Sequence, residues 1–144
     1  MRCLKTDVAV IGAGAAGCIT AGALATFAPR CDITLIESDC NAHCNSTIAS
    51  AFIPAAGTRF QNEQGIIDTP QAMAEDIYLK NKGESDYDLT LAMCSYSADV
   101  IHWMTDVAGV PIEFADEINW FGHNTPRMHS HKLRSGTPII RQLH

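Results

Sequence analysis

The 144-residue chain carries 10 Lys and Arg against 16 Asp and Glu, a formal net charge of −6, and 47% of its residues are hydrophobic. That length supports one domain with a real core. The acidic balance, with no basic cluster and no aromatic-basic stripe, excludes a nucleic-acid surface.

Residues 7–37 predict a complete β-α-β unit for gripping the diphosphate of a dinucleotide. Asp7-Val8-Ala9-Val10-Ile11 is a short apolar, β-branched strand. It breaks into Gly12-Ala13-Gly14-Ala15-Ala16-Gly17, followed by an alanine-rich helix to about Phe27 and a second strand, Ile33-Thr34-Leu35-Ile36, ending on Glu37. In this spacing Gly12 permits a tight turn, Gly14 lets backbone approach a pyrophosphate, and Gly17 lets the helix pack on the strand. The helix N-terminus offers N–H groups and partial positive charge to the anion. Glu37, at the tip of the second strand, is placed to accept the hydroxyls of an adenosine ribose.

Residues 8–27 carry no charge, yet four glycines make them a poor membrane anchor. The nucleotide motif explains those glycines, so the segment is read as neither span nor signal, and the default compartment is cytoplasmic. Six cysteines (Cys3, Cys18, Cys31, Cys40, Cys44, Cys94) show no CxxC pair and read as reduced thiols packed as small apolar groups. Cys40, His43 and Cys44 place three soft ligands within five residues; a zinc site needs a fourth, so the stretch reads as a polar loop and no metal is expected.

Farther along, residues 58–67 look irregular. Asp68 or Thr69 ahead of Pro70 starts a helix that runs to about Asn81 and stops at Gly83. Ser85 or Asp86 caps the next helix, with Leu89, Met93, Tyr96, Val100, Trp103 or Met104, and Val107 as one apolar stripe directed to the core and Gly109 as terminator. Residues 111–114 suggest a short strand. Residues 115–136 read mostly as loop, and His123, His129 and His131 within them as structural or rim residues. A last helix opens at Thr137 or Pro138 and reaches His144 after less than two turns.

These residues resemble the FAD-dependent oxidoreductases of the fumarate reductase/succinate dehydrogenase flavoprotein type, with 3-ketosteroid dehydrogenases among the nearer relatives. Residues 7–17 resemble the family's opening, in which an Ala-Gly pair, here Ala16-Gly17, closes the glycine motif. Asn45-Ser46 stands where the family has an Asn-Thr or His-Thr pair beside the flavin. Ala55-Ala56-Gly57-Thr58, Gln61 and the run Gly65-Ile66-Ile67-Asp68-Thr69-Pro70 resemble its next loop and helix start. Residues 97–103, Arg127-Met128-His129 and Arg134-Ser135-Gly136 resemble three further blocks.

The resemblance implies an α/β, Rossmann-like FAD-binding domain (a βαβ dinucleotide fold), incomplete at the C-terminus, with residues 1–144 its N-terminal part and the capping domain and C-terminal half elsewhere. It implies FAD rather than NAD, held by Gly12, Gly14, Ala16, Gly17, Glu37, Asn45, Ser46 and Ala51. Asn45 occupies the place of the histidine tied covalently to FAD in succinate dehydrogenases; asparagine cannot form that bond, so the flavin is expected to be non-covalent. The chain departs from the family in two places. Ala51-Phe52 stands where a Gly-Gly pair lets backbone approach the isoalloxazine. Thr137 stands where members acting on dicarboxylates have a substrate-contacting histidine, which turns the expectation away from succinate or fumarate. The expected function is the FAD-binding portion of an oxidoreductase moving hydride between flavin and a small organic or steroid-like substrate, with no catalytic residue inside this chain. The alternative is a non-catalytic nucleotide-binding module.

Overall fold

The computed structural model describes residues 3–38 and 44–144, which separate into two units: Met1–Ser50 with Ser135–His144, and Ala51–Arg134. In the first, β1 (Val8–Ile11) and β2 (Ile33–Ile36) pair in parallel, in a register running from Val8↔Ile33 to Ile11↔Ile36. Parallel strands cannot be joined by a tight turn, and α1 (Ala15–Phe27) is the crossover between them. The register is pinned at its lower end. The Thr6 hydroxyl donates to the Asp32 carbonyl at 2.6 Å, and Asp32 N–H donates to the Asp7 carboxylate at 2.9 Å. The β-α-β reading of residues 7–37 is therefore present in both element bounds and strand direction.

Two further helices belong to this unit, the short α2 (Asn45–Ile48) and α7 (Gly136–Leu143). In α7, Ile139 and Ile140 are buried, and Ser135 caps the helix by accepting from Thr137 N–H. Helices α7 and α2 meet backbone to backbone: Gly136 N–H donates to the Ala49 carbonyl at 2.8 Å, and the Thr137 hydroxyl donates to the Thr47 carbonyl at 3.0 Å. A Cβ on Gly136 would overlap the Ser46 carbonyl, so only glycine permits this approach.

The second unit is built on a three-stranded antiparallel sheet. β5 (Met128–His131) lies between β3 (Ile53–Pro54) and β4 (Ile112–Phe114), with Ile53↔His129 on one side and Ile112↔His131 on the other. Four helices complete it: α3 (Arg59–Glu63), α4 (Pro70–Lys80), α5 (Tyr87–Ser95) and α6 (Ser97–Asp106). Thr69 and Asp86 cap α4 and α5 through their side chains, and Gly83 and Gly109 take left-handed backbone at the expected stops. Ala56, Met73, Ala74 and Cys94 form a buried cluster with Ile77, Tyr87 and Leu91 against it.

Three expectations for this unit are corrected. Residues 58–67, expected to be irregular, contain α3, which Thr58 and Gln61 close with a reciprocal capping box. The single helix expected across residues 86–107 is two helices, broken at Tyr96, which ends α5 and begins α6. The break shifts the helical phase, so Leu89, Met93, Tyr96 and Val107 of the expected core stripe are exposed. Met104 of that stripe is buried, as expected, together with Thr90, Cys94 and Ile101. Finally, β5 runs through the expected loop, and all four of its residues, Met128, His129, Ser130 and His131, are buried.

Candidate functional site

The three motif glycines meet three different physical demands. Gly12, directly after β1, has φ +96°, the backbone region that side chains with a Cβ rarely adopt. Gly17 lies in the first turn of α1, where a Cβ would overlap the Gly12 carbonyl oxygen and stand 3.6 Å from Val10 Cγ1. Gly14 has ordinary extended backbone (φ −73°, ψ −176°), and a Cβ there would meet only the Ser46 Oγ, at 3.6 Å. The first two glycines are required by the fold. The third leaves a space that the fold itself does not use.

Around that space two backbone N–H groups are held by side chains. Gly14 is the N-cap of α1 and has no side chain to cap it; the hydroxyl of Ser46, on α2, accepts from Ala15 N–H at 3.1 Å. The first turn of α1 itself contains no acidic residue, and the positive end of a helix favours an anion. Glu37 follows β2 and is exposed. Its Oε2 accepts from Ala13 N–H at 2.7 Å, and its Oε1 accepts from Ser38 N–H at 2.7 Å and the Ser38 hydroxyl at 2.9 Å. A glycine loop at a helix N-terminus, with a carboxylate fixed at the neighbouring strand tip, suits a diphosphate and a ribose diol together.

Of the other expected contacts, Ala16 is exposed on the first turn of α1, and Asn45 opens α2 and is exposed. Gly12, Gly14, Ala16, Gly17, Glu37, Asn45 and Ser46 all belong to the first unit. Ala51 opens the second unit, with a left-handed φ of +54°. A non-glycine residue in that conformation stands where the resembling family has glycine. Its neighbour Phe52 packs edge-on against Trp120, with ring centroids 5.9 Å apart.

The second unit holds a buried polar network that sequence reading did not assemble. Arg127, 1% exposed, donates from Nε and Nη2 to Asp68 at 2.6 and 2.9 Å, and from Nη1 to Asp76 at 2.5 Å. Burial pushes Asp76 upward, but hydrogen bonds from Asn124 N–H and Arg127 outweigh it and hold the carboxyl below its ordinary value. Gln61 donates to Asp68 at 3.1 Å and to the Pro126 carbonyl at 2.8 Å. The spacing Thr58-x-x-Gln61 was the available signal for the capping end of this network; the Asp68–Arg127 pairing spans 59 residues and leaves no local signal.

The three histidines separate in role. His129 is fully buried, with Nδ1 2.9 Å from the Arg127 carbonyl and Nε2 2.9 Å from the Thr58 hydroxyl. A carbonyl only accepts, so Nδ1 carries the proton and the Thr58 hydroxyl donates to Nε2. Burial pushes His129 down to about 4. His123 Nδ1 lies 3.2 Å from Arg127 Nη1 and is lowered first by burial, then by the Arg127 charge. His131 Nδ1 accepts from Leu133 N–H at 3.1 Å. All three are structural in their observed contacts.

Burial raises the thiols of Cys18 and Cys94, while Cys44 is lowered, chiefly by a hydrogen bond from the Thr47 backbone. Among the described residues no group of three His, Cys, Asp or Glu is placed to hold a metal. Cys40 and His43 of the considered cluster lie outside the described residues. No helix among the described residues is long and apolar enough to cross a membrane.

The fold and the loop geometry define a mixed α/β protein with a glycine-looped β-α-β unit. The chain belongs to the FAD binding domain family, which matches residues 7–138, and its cofactor is FAD. The cytochrome-type fumarate reductase of Shewanella frigidimarina is 31% identical over 99 residues, 69% of this chain and 17% of that protein. A fumarate reductase of Schizosaccharomyces pombe is 25% identical over 125 residues, 87% of this chain and 24% of that protein. Among solved structures, a flavocytochrome c3 fumarate reductase in its open conformation matches with a TM-score of 0.81 and 27% identity, over 96% of this chain and 24% of that one. The 3-ketosteroid-Δ4-(5α)-dehydrogenase of Rhodococcus jostii RHA1 shares the fold, with a TM-score of 0.74, 20% identity, and coverage of 96% of this chain and 35% of that one. The chain thus spans 17% to 24% of the length of these curated relatives.

Proposed function

We propose that this chain is the ADP-gripping portion of a flavin-dependent oxidoreductase that moves hydride between flavin and a small organic or steroid-like substrate. The observation that carries the reading is the open space at Gly14, bounded by the α1 N-terminus and the Ser46 hydroxyl, with Glu37 fixed beside it. Backbone N–H groups of residues 14–17 take the diphosphate, Gly12, Ala16 and Gly17 shape the loop that presents them, and the Glu37 carboxylate accepts from the ribose hydroxyls. Bound FAD supplies the two-electron chemistry at its ring.

Asn45 and Ser46 stand on the flavin side of that grip. Ser46 exchanges its Ala15 partner for the ligand or shares it, since a hydroxyl oxygen has two lone pairs. Asn45 has an amide where a covalent link needs a nucleophilic ring, which supports non-covalent FAD. Ala51 is assigned to the flavin separately, from its left-handed backbone and the resemblance at that position. The Thr137 hydroxyl donates to the Thr47 carbonyl, and it carries no charge to offer a dicarboxylate. That supports a substrate other than succinate or fumarate. The segments that would complete the Rossmann-like sheet, cap the substrate and supply acid-base groups belong, in this reading, to sequence equivalent to the remainder of the longer relatives.

The test is a visible absorption spectrum of protein saturated with FAD and desalted, taken before and after acid precipitation. A flavin band that moves entirely to the supernatant is expected. A band retained in the pellet would overturn the non-covalent assignment, and a colourless desalted protein with no FAD-dependent change in melting would overturn the grip itself.

A further inference from the structure

Residue 144 reaches back across the sequence to the diphosphate loop. His144 Nε2 lies 2.9 Å from the Ala13 carbonyl oxygen, a contact between residues 131 apart. A carbonyl oxygen has no proton to give, so Nε2 carries it and donates. The Cys18 thiol donates to the same oxygen at 3.1 Å, but a thiol is the weaker donor. On the other side of Ala13, its N–H is held by Glu37 Oε2 at 2.7 Å. Both peptide planes flanking Ala13 are therefore fixed by side chains, one from the end of β2 and one from the end of α7.

The second of those planes is the Ala13–Gly14 peptide, and no peptide bond among the described residues is cis. In a trans peptide the C=O and N–H point to opposite sides. Drawing the Ala13 carbonyl toward His144 and Cys18 turns the Gly14 N–H away from them. We propose that His144 is a positioning residue for cofactor binding, holding the Ala13 carbonyl so that the Gly14 N–H is presented to the ligand's diphosphate. This deepens the proposed grip and rests on it.

The placement of His144 follows from α7. The helix is anchored at its start by the Gly136-to-Ala49 and Thr137-to-Thr47 hydrogen bonds and along its length by buried Ile139 and Ile140. Eight residues span about 12 Å of helix, and His144 N–H closes the last turn on the Ile140 carbonyl at 3.1 Å. The ring is thus delivered by a packed element.

The experiment compares FAD and ADP affinities of the wild-type chain with those of His144→Leu, His144→Asn and His144→Gln. Ligand-free melting and the Gly14 amide resonance are measured alongside. Leucine has the bulk without the donor, asparagine has a donor too short to reach, and glutamine places an amide nitrogen near the Nε2 position. Leu and Asn are expected to weaken both ligands roughly three- to tenfold, the worth of one net hydrogen bond, and to move the Gly14 resonance, with ligand-free melting unchanged. Gln is expected to restore both affinity and resonance. Wild-type affinity in the Leu and Asn variants would overturn the role of His144. So would equal weakening in all three with an unmoved Gly14 amide. If Leu fails to fold, the Asn–Gln comparison decides in the same way. A wild-type chain that binds neither FAD nor ADP would instead overturn the grip on which the role rests.

Discussion

Removing the Arg127 guanidinium tests what holds the second unit together. In Arg127→Leu, Asp68 and Asp76 keep their burial, with side chains 0% and 5% exposed, and lose the cation they share. Breaking one partner of a buried ion pair typically costs about 3–5 kcal/mol, because the remaining charge stays desolvated. For a unit of this size that corresponds to a fall in melting temperature on the order of 12–40 °C at pH 7. The contribution of Asp76 to the pH dependence should also shrink. In the wild type Asp76 titrates below its ordinary value, so its contribution is present at neutral pH and is lost as pH falls through the folded value. In the variant Asp76 keeps its burial and its Asn124 hydrogen bonds but loses the lowering that Arg127 supplies, so the part of the acid-side loss of stability that Asp76 contributes should shrink. Both tryptophans, Trp103 and Trp120, lie between residues 51 and 134, so tryptophan fluorescence reports on this unit. A variant that melts within about 2 °C of wild type, with the same pH trend, would refute the reasoning.

The remaining expectations concern the grip and one buried histidine. Glu37→Ala should weaken FAD by roughly 10- to 100-fold while leaving the protein folded, because the lost charge-assisted hydrogen bonds are worth about 1.5–3 kcal/mol; equal affinity by titration calorimetry would remove Glu37 from the site. Gly14→Val should give a folded protein that binds no FAD, whereas Gly17→Val should fail to fold, since a Cβ at residue 17 overlaps the Gly12 carbonyl. Circular dichroism showing both variants equally folded would contradict the distinction. His129 falls from 6.5 to about 4 on folding, so between those values the unfolded chain binds the extra proton and stability drops as pH falls. The full difference is about 3 kcal/mol; an unchanged urea midpoint between pH 7 and 4.5 would show that His129 is not neutral and buried as described.

Local order was legible wherever a residue's neighbours in sequence are also its partners. The β1–α1–β2 unit could be read because glycine spacing, strand length and the carboxylate at residue 37 are all local consequences of one crossover. The caps at Thr69 and Asp86 were readable for the same reason. The apolar stripe from Leu89 to Val107 misled because its period assumes an unbroken helix, and nothing local marks Tyr96 as the end of one and start of the next. β5 was missed because Met128-His129-Ser130-His131 lacks the alternation of a half-buried strand. It is the central strand of its sheet, and the polar side chains of residues 129 and 131 form hydrogen bonds. In the site, the glycines and Glu37 were visible, while the Ser46 contact to Ala15 and the His144 contact to Ala13 exist only after α2 and α7 have packed.

The most direct test of the central claim is calorimetric titration of the chain with FAD, ADP and FMN in parallel. FMN has the flavin ring but lacks the adenosine half and the diphosphate bridge. If residues 12–17 and Glu37 form an ADP grip, FAD and ADP should both bind and FMN should bind far more weakly than either. FMN binding as tightly as FAD, with no heat from ADP, would contradict it.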